Sequence, residues 1–454
     1  MIPAINASKI YSVLGNNDSL VPLAIKDVAN SMGLTTGSYI TGDSVEGKDR
    51  FIDEFGTQAI WLFGIPVYKK ALDLTLFKSL GFDAKIDARV LKNSQILEKA
   101  QEFAPTDAIK NSLSKVAKNQ KLYKGLTIGK FVASTLLTVG TYFGLTKFRH
   151  KYTEDQIKKD YFARNHVEKE RFNFTSSVPF SAAFNDVHNT KKQNAQPSFT
   201  GGWQDFMFNP VRNLMIVDAS ISGERLAHAR NKQDFIGYTV KEGTFWAFMY
   251  FAGKKIQTAL ENHAETKHKK SIDLDARVIE SKELKEVFAN KSILKDLQEF
   301  PVKGSDVEVY EFINKNPENF VVQMAKKSDL VTTMESNNGW FNKLMKKLNL
   351  PHIEITDKNA IDTRRFIDIN EVKGVATKLE KLHNQYTNSG ENLDIFLDGV
   401  KKLKRRSIRT NIGSCIAALG IVAPAIMIAL RFLGKDNHEF QTKKDVEAKL
   451  AAQN

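Results

Sequence analysis

From Thr410 to Leu430 the chain carries no charged residue, and no other feature constrains the fold as strongly. Twenty-one helical residues at about 1.5 Å each reach roughly 31 Å, enough to cross the hydrocarbon core of a bilayer. Ile412, Ile416, Leu419, Ile421, Val422, Ile426, Ile428 and Leu430 each favour insertion by about 0.3–0.6 kcal/mol, with no charge to offset them. Pro424 frees one carbonyl and kinks the helix, a defect that membrane helices tolerate where a neighbour covers it. A second segment, Gly125 to Thr146, is apolar except for Lys130, whose stem can carry its charge to the interface. It is expected to span as well. Its Gly125-xxx-Gly129 and Gly140-xxx-Gly144 spacings let helix backbones approach closely in lipid, which predicts helix pairing and a route to a homo-oligomer.

Two more runs are ambiguous. Phe55 to Tyr68 is uncharged but gives only about 21 Å of helix before Lys69-Lys70. Phe235 to Gly253 is interrupted by Lys241-Glu242, turns aromatic from Phe245 to Phe251 and closes at Lys254-Lys255, a pattern suited to the interface. Apolar residues at three-to-four spacing elsewhere, as in Phe366 to Tyr386 and in Trp340, Phe341, Leu344, Met345 and Leu348, predict further helices. Alternating strand patterns are scarce. The expected fold is mainly α: a multi-pass integral membrane protein with two spanning helices, or four if the ambiguous runs cross, plus soluble helical regions. Lys and Arg number five before and five after the first strong segment, six before and four after the second, counting fifteen residues each way. That near balance leaves orientation open, with a lean to four crossings and cytoplasmic loops before each strong segment.

Landmarks recur in the same order in the two halves. Ser38 to Asp43 is echoed by Ala219 to Glu224, and Gly56-Thr57 with Trp61 by Gly243-Thr244 with Trp246. Asp87-Ala88-Arg89-Val90 recurs unchanged as Asp275-Ala276-Arg277-Val278, and Gln101-Glu102-Phe103 as Gln298-Glu299-Phe300. The expected organisation is a first repeat over 1–150 with its membrane helix near 125–146, and a polar linker over 151–205. A second repeat over 206–454 has its helix near 410–430 and an inserted soluble helical module near 303–390.

The formal charge is +14, and its densest cluster, Lys401, Lys402, Lys404, Arg405, Arg406 and Arg409, abuts the longest apolar run. That placement favours contact with anionic lipid headgroups over a specific nucleic acid. Cys415 is the only cysteine, so the chain can form no internal disulfide or Cys-x-x-Cys site. Phosphate loops, dinucleotide turns, nucleophile elbows and His-Glu-x-x-His helices do not occur. His263 and His268 are off helical-face spacing and surrounded by lysines, so they read as surface residues and not metal ligands. Asp218, Glu224 and Arg225 surround the first landmark in one half, as Asp43 and Arg50 do in the other. These acid-glycine pairs read as helix capping ahead of ion or substrate binding, with Ser38 or Ser220 as the hydroxyl cap and Gly42 or Gly223 supplying an unusual dihedral. Arg89 and Arg277 read as partners of the aspartates two residues before them. No catalytic residue, cofactor or metal site is predicted. The functional expectation is a membrane-associated structural or interaction protein with a basic face toward anionic lipid. Its alternative is a transporter or channel-like protein built from a duplicated membrane unit.

Overall fold

Short polar side chains set where the helices begin. Ser19 accepts a hydrogen bond from the Val21 amide to start a helix, α2, that runs Leu20–Thr41; a short helix, α1 (Ala7–Gly15), precedes it. Asp43 accepts from the amides of Val45 and Glu46, so the chain turns at once into α3 (Ser44–Leu72), which continues through a π turn at Asp73–Phe77. Asn209 and Pro210 start α7 (Pro210–Ala227) and Asn231 starts α8 (Lys232–Trp246) in the same way. The computed structural model describes residues 7–16, 19–165, 209–290, 292–334, 359–433 and 441–452. The linker expected over 151–205 falls outside these from residue 166 on, and so does the helix face expected around Trp340. Among the described residues no strand forms, and one isolated bridge pairs Thr333 with Ile361.

Two regions share the chain. Between α3 and α6 (Gln120–Asn165) lie the short α4 (Ser94–Glu102) and α5 (Asp107–Lys118). The second half adds α9 (Gly253–His268), α10 (Ala276–Ile279), α11 (Lys282–Ala289), α12 (Ile293–Glu299), α13 (Asp306–Lys315), α14 (Phe320–Lys327) and α15 (Ile369–Ser389). These short helices bury one globular core, in which Leu97 and Leu113 from the first half join Phe288, Val309, Val322 and Leu379 from the second. The described part of 303–390 therefore packs into a core shared with both halves.

The other region is a bundle of long rods: α2, α3, α6, α7, α8 and the tail of α16 (Leu393–Ala417), which passes through a π turn into α17 (Ala423–Leu433). α2, α6, α7 and α16 run away from the globule, and α3 and α8 run back toward it. At one end Leu20, Lys69, Thr127 and Leu214 line a common cavity beside the globule. At the other end Asp49 meets Thr153 and Arg230, Asp43 meets Lys443, and Asn231 meets Thr442 of the last helix, α18 (Gln441–Ala451). At about 1.5 Å per residue, α6 is roughly 69 Å long and runs the length of both regions.

Two helices are long and apolar enough to cross a membrane, Gln120–Arg164 and Leu393–Leu430. Only 28% and 33% of their most apolar stretches are buried in the chain, unlike the core helix of an ordinary globule. The neighbouring rods also turn apolar side chains outward: Ile25, Val28 and Met32 on α2, Phe63 and Val67 on α3, Phe235 and Ile236 on α8. An exposed apolar surface of this extent on a helical bundle is the mark of a face that meets lipid or another protein.

The backbones of α2 and α17's π turn meet at glycine. A Cβ on Gly33 would lie 2.3 Å from the Gly420 carbonyl oxygen, an approach no other residue type permits. By contrast, a Cβ on Gly125, Gly129, Gly140 or Gly144 would meet nothing within 4 Å, so these four glycines make no close helix crossing among the described residues. Gly33→Leu is accordingly expected to lower stability by about 1–3 kcal/mol through overpacking. Gly129→Leu is expected to be neutral or slightly stabilising, since leucine is the better helix former. Thermal unfolding of the two variants in neutral detergent compares them, and equal melting points would mean that α2 and α17 do not cross here.

The Asp-Ala-Arg-Val tetrapeptides adopt the same turn. Asp87 and Asp275 each accept from the amide of the arginine two residues on, at 2.9 and 2.7 Å, and pair with its guanidinium. Asp362 and Arg364 repeat the arrangement. In each case a helix cap follows six residues after the aspartate, at Asn93, Ser281 and Asp368. The third turn lies inside the segment expected as an insertion, so the turn alone does not count copies of a repeat.

Candidate functional site

The bundle is polar inside. Asp49 and Asp53, four residues apart, and Glu54 next to Asp53 turn inward from α3 and are 5%, 2% and 3% exposed. Helical spacing likewise aligns Asp234, Tyr238 and Lys241 on α8, and Asp218, Ser222 and Arg225 on α7. Arg149 enters from α6. These faces converge on a chain of ion pairs. Lys241 Nζ lies 2.7 Å from Glu54, and Arg225 donates to Glu242 at 2.8 Å and to Asp53 at 3.1 Å. Arg149 lies 2.8 Å from Asp53 and donates to the Tyr238 hydroxyl at 3.0 Å. Asp49, bonded by Thr153, then accepts from Arg230 at 2.9 Å, and Arg230 donates to Asp234 at 2.7 Å. Ionisable groups thus run without a break from the bundle's middle to the end away from the globule.

At the inner end of this chain is a cavity of about 20 Å³, room for about one water molecule. Four carboxylates line it, Asp27, Glu54, Asp218 and Glu242, against two cations, Arg225 and Lys241. Glu54 and Glu242 take those two cations, which leaves Asp27 and Asp218 without an ion-pair partner among the described residues. Asp218 accepts hydrogen bonds from Trp61 Nε1 at 3.1 Å and from the Tyr250 hydroxyl. Asn30, 1% exposed, faces the same cavity, and both polar atoms of its amide lack a protein partner. A carboxylate left unpaired in a buried site is neutralised most cheaply by a proton or a bound cation. Among the described residues no three His, Cys, Asp or Glu side chains converge to hold a metal ion. Trp61 also lines the larger cavity at the globule end, so its indole forms the wall between the two.

The residues singled out from sequence lie elsewhere. Of the basic cluster, Lys404 is buried and donates to the Ile272 carbonyl oxygen, and Arg405 pairs with Glu280 at 2.8 Å. Lys401 is half-buried; Lys402, Arg406 and Arg409 are exposed, with Lys402 on Asp398 and Arg409 on the Tyr11 hydroxyl. Gly125, Gly129, Gly140 and Gly144 lie on α6 without a close helix contact among the described residues. His263 and His268 are exposed on α9. Asp43 caps α3, whereas Gly223 and Glu224 lie within α7, where Glu224 is buried near His228.

Sequence reasoning passed over Asp27, and it met Asp218 and Trp61 only as neighbours or members of the repeated landmarks, not as parts of one site. A signal existed, since charged residues at i, i+4 spacing within otherwise apolar helices, such as Asp49 and Asp53, mark an inward polar face. Comparison with protein-family models, with curated proteins and with solved structures gives no match for this chain.

Proposed function

We propose that this chain is a multi-pass membrane protein whose six-rod bundle moves protons, alone or coupled to a solute, along its buried ionisable side chains. The observation that carries the reading is the pair Asp27 and Asp218. Asp218 is buried and Asp27 half-buried in a bundle clad in exposed apolar residues; both line, without an ion-pair partner among the described residues, a water-sized cavity closed by Trp61. Ionisable residues inside a membrane domain face one another or a pathway, and their desolvation is retained only where it serves a purpose. Asp218 takes up and releases the proton at the cavity, and the Asp53, Arg149 and Asp49 ion pairs beyond it hold the rods in register.

The four rods other than the two apolar ones owe their low average hydropathy to these inward charges, while their outer faces suit lipid. The globule and α18 cap opposite ends of this bundle, so on this reading they face opposite sides of the bilayer. A pure scaffold resting its basic face on lipid is favoured less, because Lys404 and Arg405 are engaged within the chain.

The test is reconstitution of the full chain into liposomes holding a pH-sensitive dye, with a potassium diffusion potential as driving force. Acidification or alkalinisation faster than in empty liposomes is expected. A rate equal to that of empty liposomes, with and without candidate solutes, would sink the reading.

A further inference from the structure

A cavity of about 690 Å³ lies at the seam between bundle and globule, within the roughly 300–1,000 Å³ range of sites that enclose small ligands. It has two chemically different parts. Trp61, Leu62, Ile65, Phe131 and Leu214 make an apolar wall within the bundle, and Lys69, Lys70, Lys78 and Lys85 stand toward the globule. Three aspartates also reach the cavity, but each is engaged: Asp73 with Lys130 at 2.8 Å, Asp83 with Arg364 at 2.9 Å, and Asp87 with Arg89 at 2.7 Å. None of the four lysines has an ion-pair partner among the described residues. Burial and the nearby Arg364 guanidinium push the Lys85 ammonium below its usual range, as expected where positive charge is in excess.

We infer that this cavity binds one anionic phospholipid drawn from the surrounding bilayer. Its phosphate sits among Lys69, Lys70, Lys78 and Lys85, and an acyl chain lies along Trp61, Ile65 and Phe131. A free inorganic anion would use the lysines and leave the apolar wall wet, and a neutral lipid would leave the lysines unneutralised. Only an anionic amphiphile satisfies both parts. The entrance is lateral: Pro66, Lys70, Leu74 and Lys78 recur every four residues along the rod, are exposed, and adjoin the exposed apolar Phe63 and Val67. The inference rests on membrane residence and is independent of whether the bundle conducts protons.

Native mass spectrometry of the full chain tests it, in neutral detergent doped with dioleoyl phosphatidylglycerol or dioleoyl phosphatidylcholine. One phosphatidylglycerol is expected to be retained in preference to phosphatidylcholine by about tenfold or more. The preference is expected to fall about tenfold in Lys69→Gln/Lys85→Gln, and likewise in Lys70→Gln/Lys78→Gln, whose side chains are more exposed and whose fold is less at risk. Lys402→Gln/Arg406→Gln, altered on the outer basic face, is expected to behave as wild type. Equal retention of the two lipids, or a preference lost only in the Lys402/Arg406 variant, would overturn the inference. Displacement of the lipid by millimolar inorganic phosphate would also overturn it and make a free anion the ligand. Because the readout needs no flux, a failure here is separate from a failure of proton movement.

Discussion

Arg149→Leu is expected to lower the stability of the folded chain by about 3–5 kcal/mol, the cost of leaving a buried charge without its partner. Arg149 is 3% exposed, and its guanidinium serves Asp53 and Tyr238 with Asp49 close by. Leucine fills much of the space but supplies none of that charge. Asp53 then depends on Arg225 and Arg50 alone. Arg149→Lys is expected to recover only part of the loss, since one ammonium cannot present the guanidinium's several donors to two partners. Asp53→Asn combined with Arg149→Leu is expected to cost less than the two single changes summed, because removing both members leaves fewer stranded charges. Thermal unfolding in neutral detergent measures all of these. A melting point for Arg149→Leu unchanged from wild type would show that water reaches these pairs and that the bundle interior is not the low-dielectric site described.

Asp218→Asn is expected to abolish proton flux in liposomes while leaving the fold intact. The asparagine carbonyl oxygen can still accept from Trp61 and Tyr250, so the structural cost is on the order of 1 kcal/mol or less. What is lost is the ability to bind and release a proton. An amide is permanently in the neutral form, so the site cannot cycle and flux is expected to fall to that of empty vesicles. Asp27→Asn tests the other unpartnered carboxylate and is expected to act in the same direction. Normal flux in both variants would remove these two groups from any pathway, while leaving the ion-pair chain as a purely structural device.

The two predictions separate two roles of buried charge. Arg149 and Asp53 are mutually neutralised, so their removal registers as lost stability. Asp27 and Asp218 have no such compensation, so their removal registers as lost exchange. Charge compensation thus distinguishes a group that holds the bundle together from one that titrates within it.

Some of this was legible in the residues alone. The helical class followed from three-to-four spacing, and the two apolar rods followed from uncharged length, because both depend on local sequence. The aspartate turns at Asp87 and Asp275 were visible for the same reason, since the groups that form them are two residues apart. What local sequence could not show is which way a charge points. Asp53, Arg225 and Lys241 reduce the average hydropathy of their helices, and an average does not record that all three face one axis. Trp61 and Asp218 are 157 residues apart in the chain and meet only when α3 and α7 pack side by side. The contact at Gly33 and Gly420 is of the same kind, whereas the glycine spacing on α6 is regular and lies against open space. Periodicity fixes a face; the partner that a face receives is decided by three-dimensional packing, because the energy of a buried charge depends on neighbours that are distant in sequence.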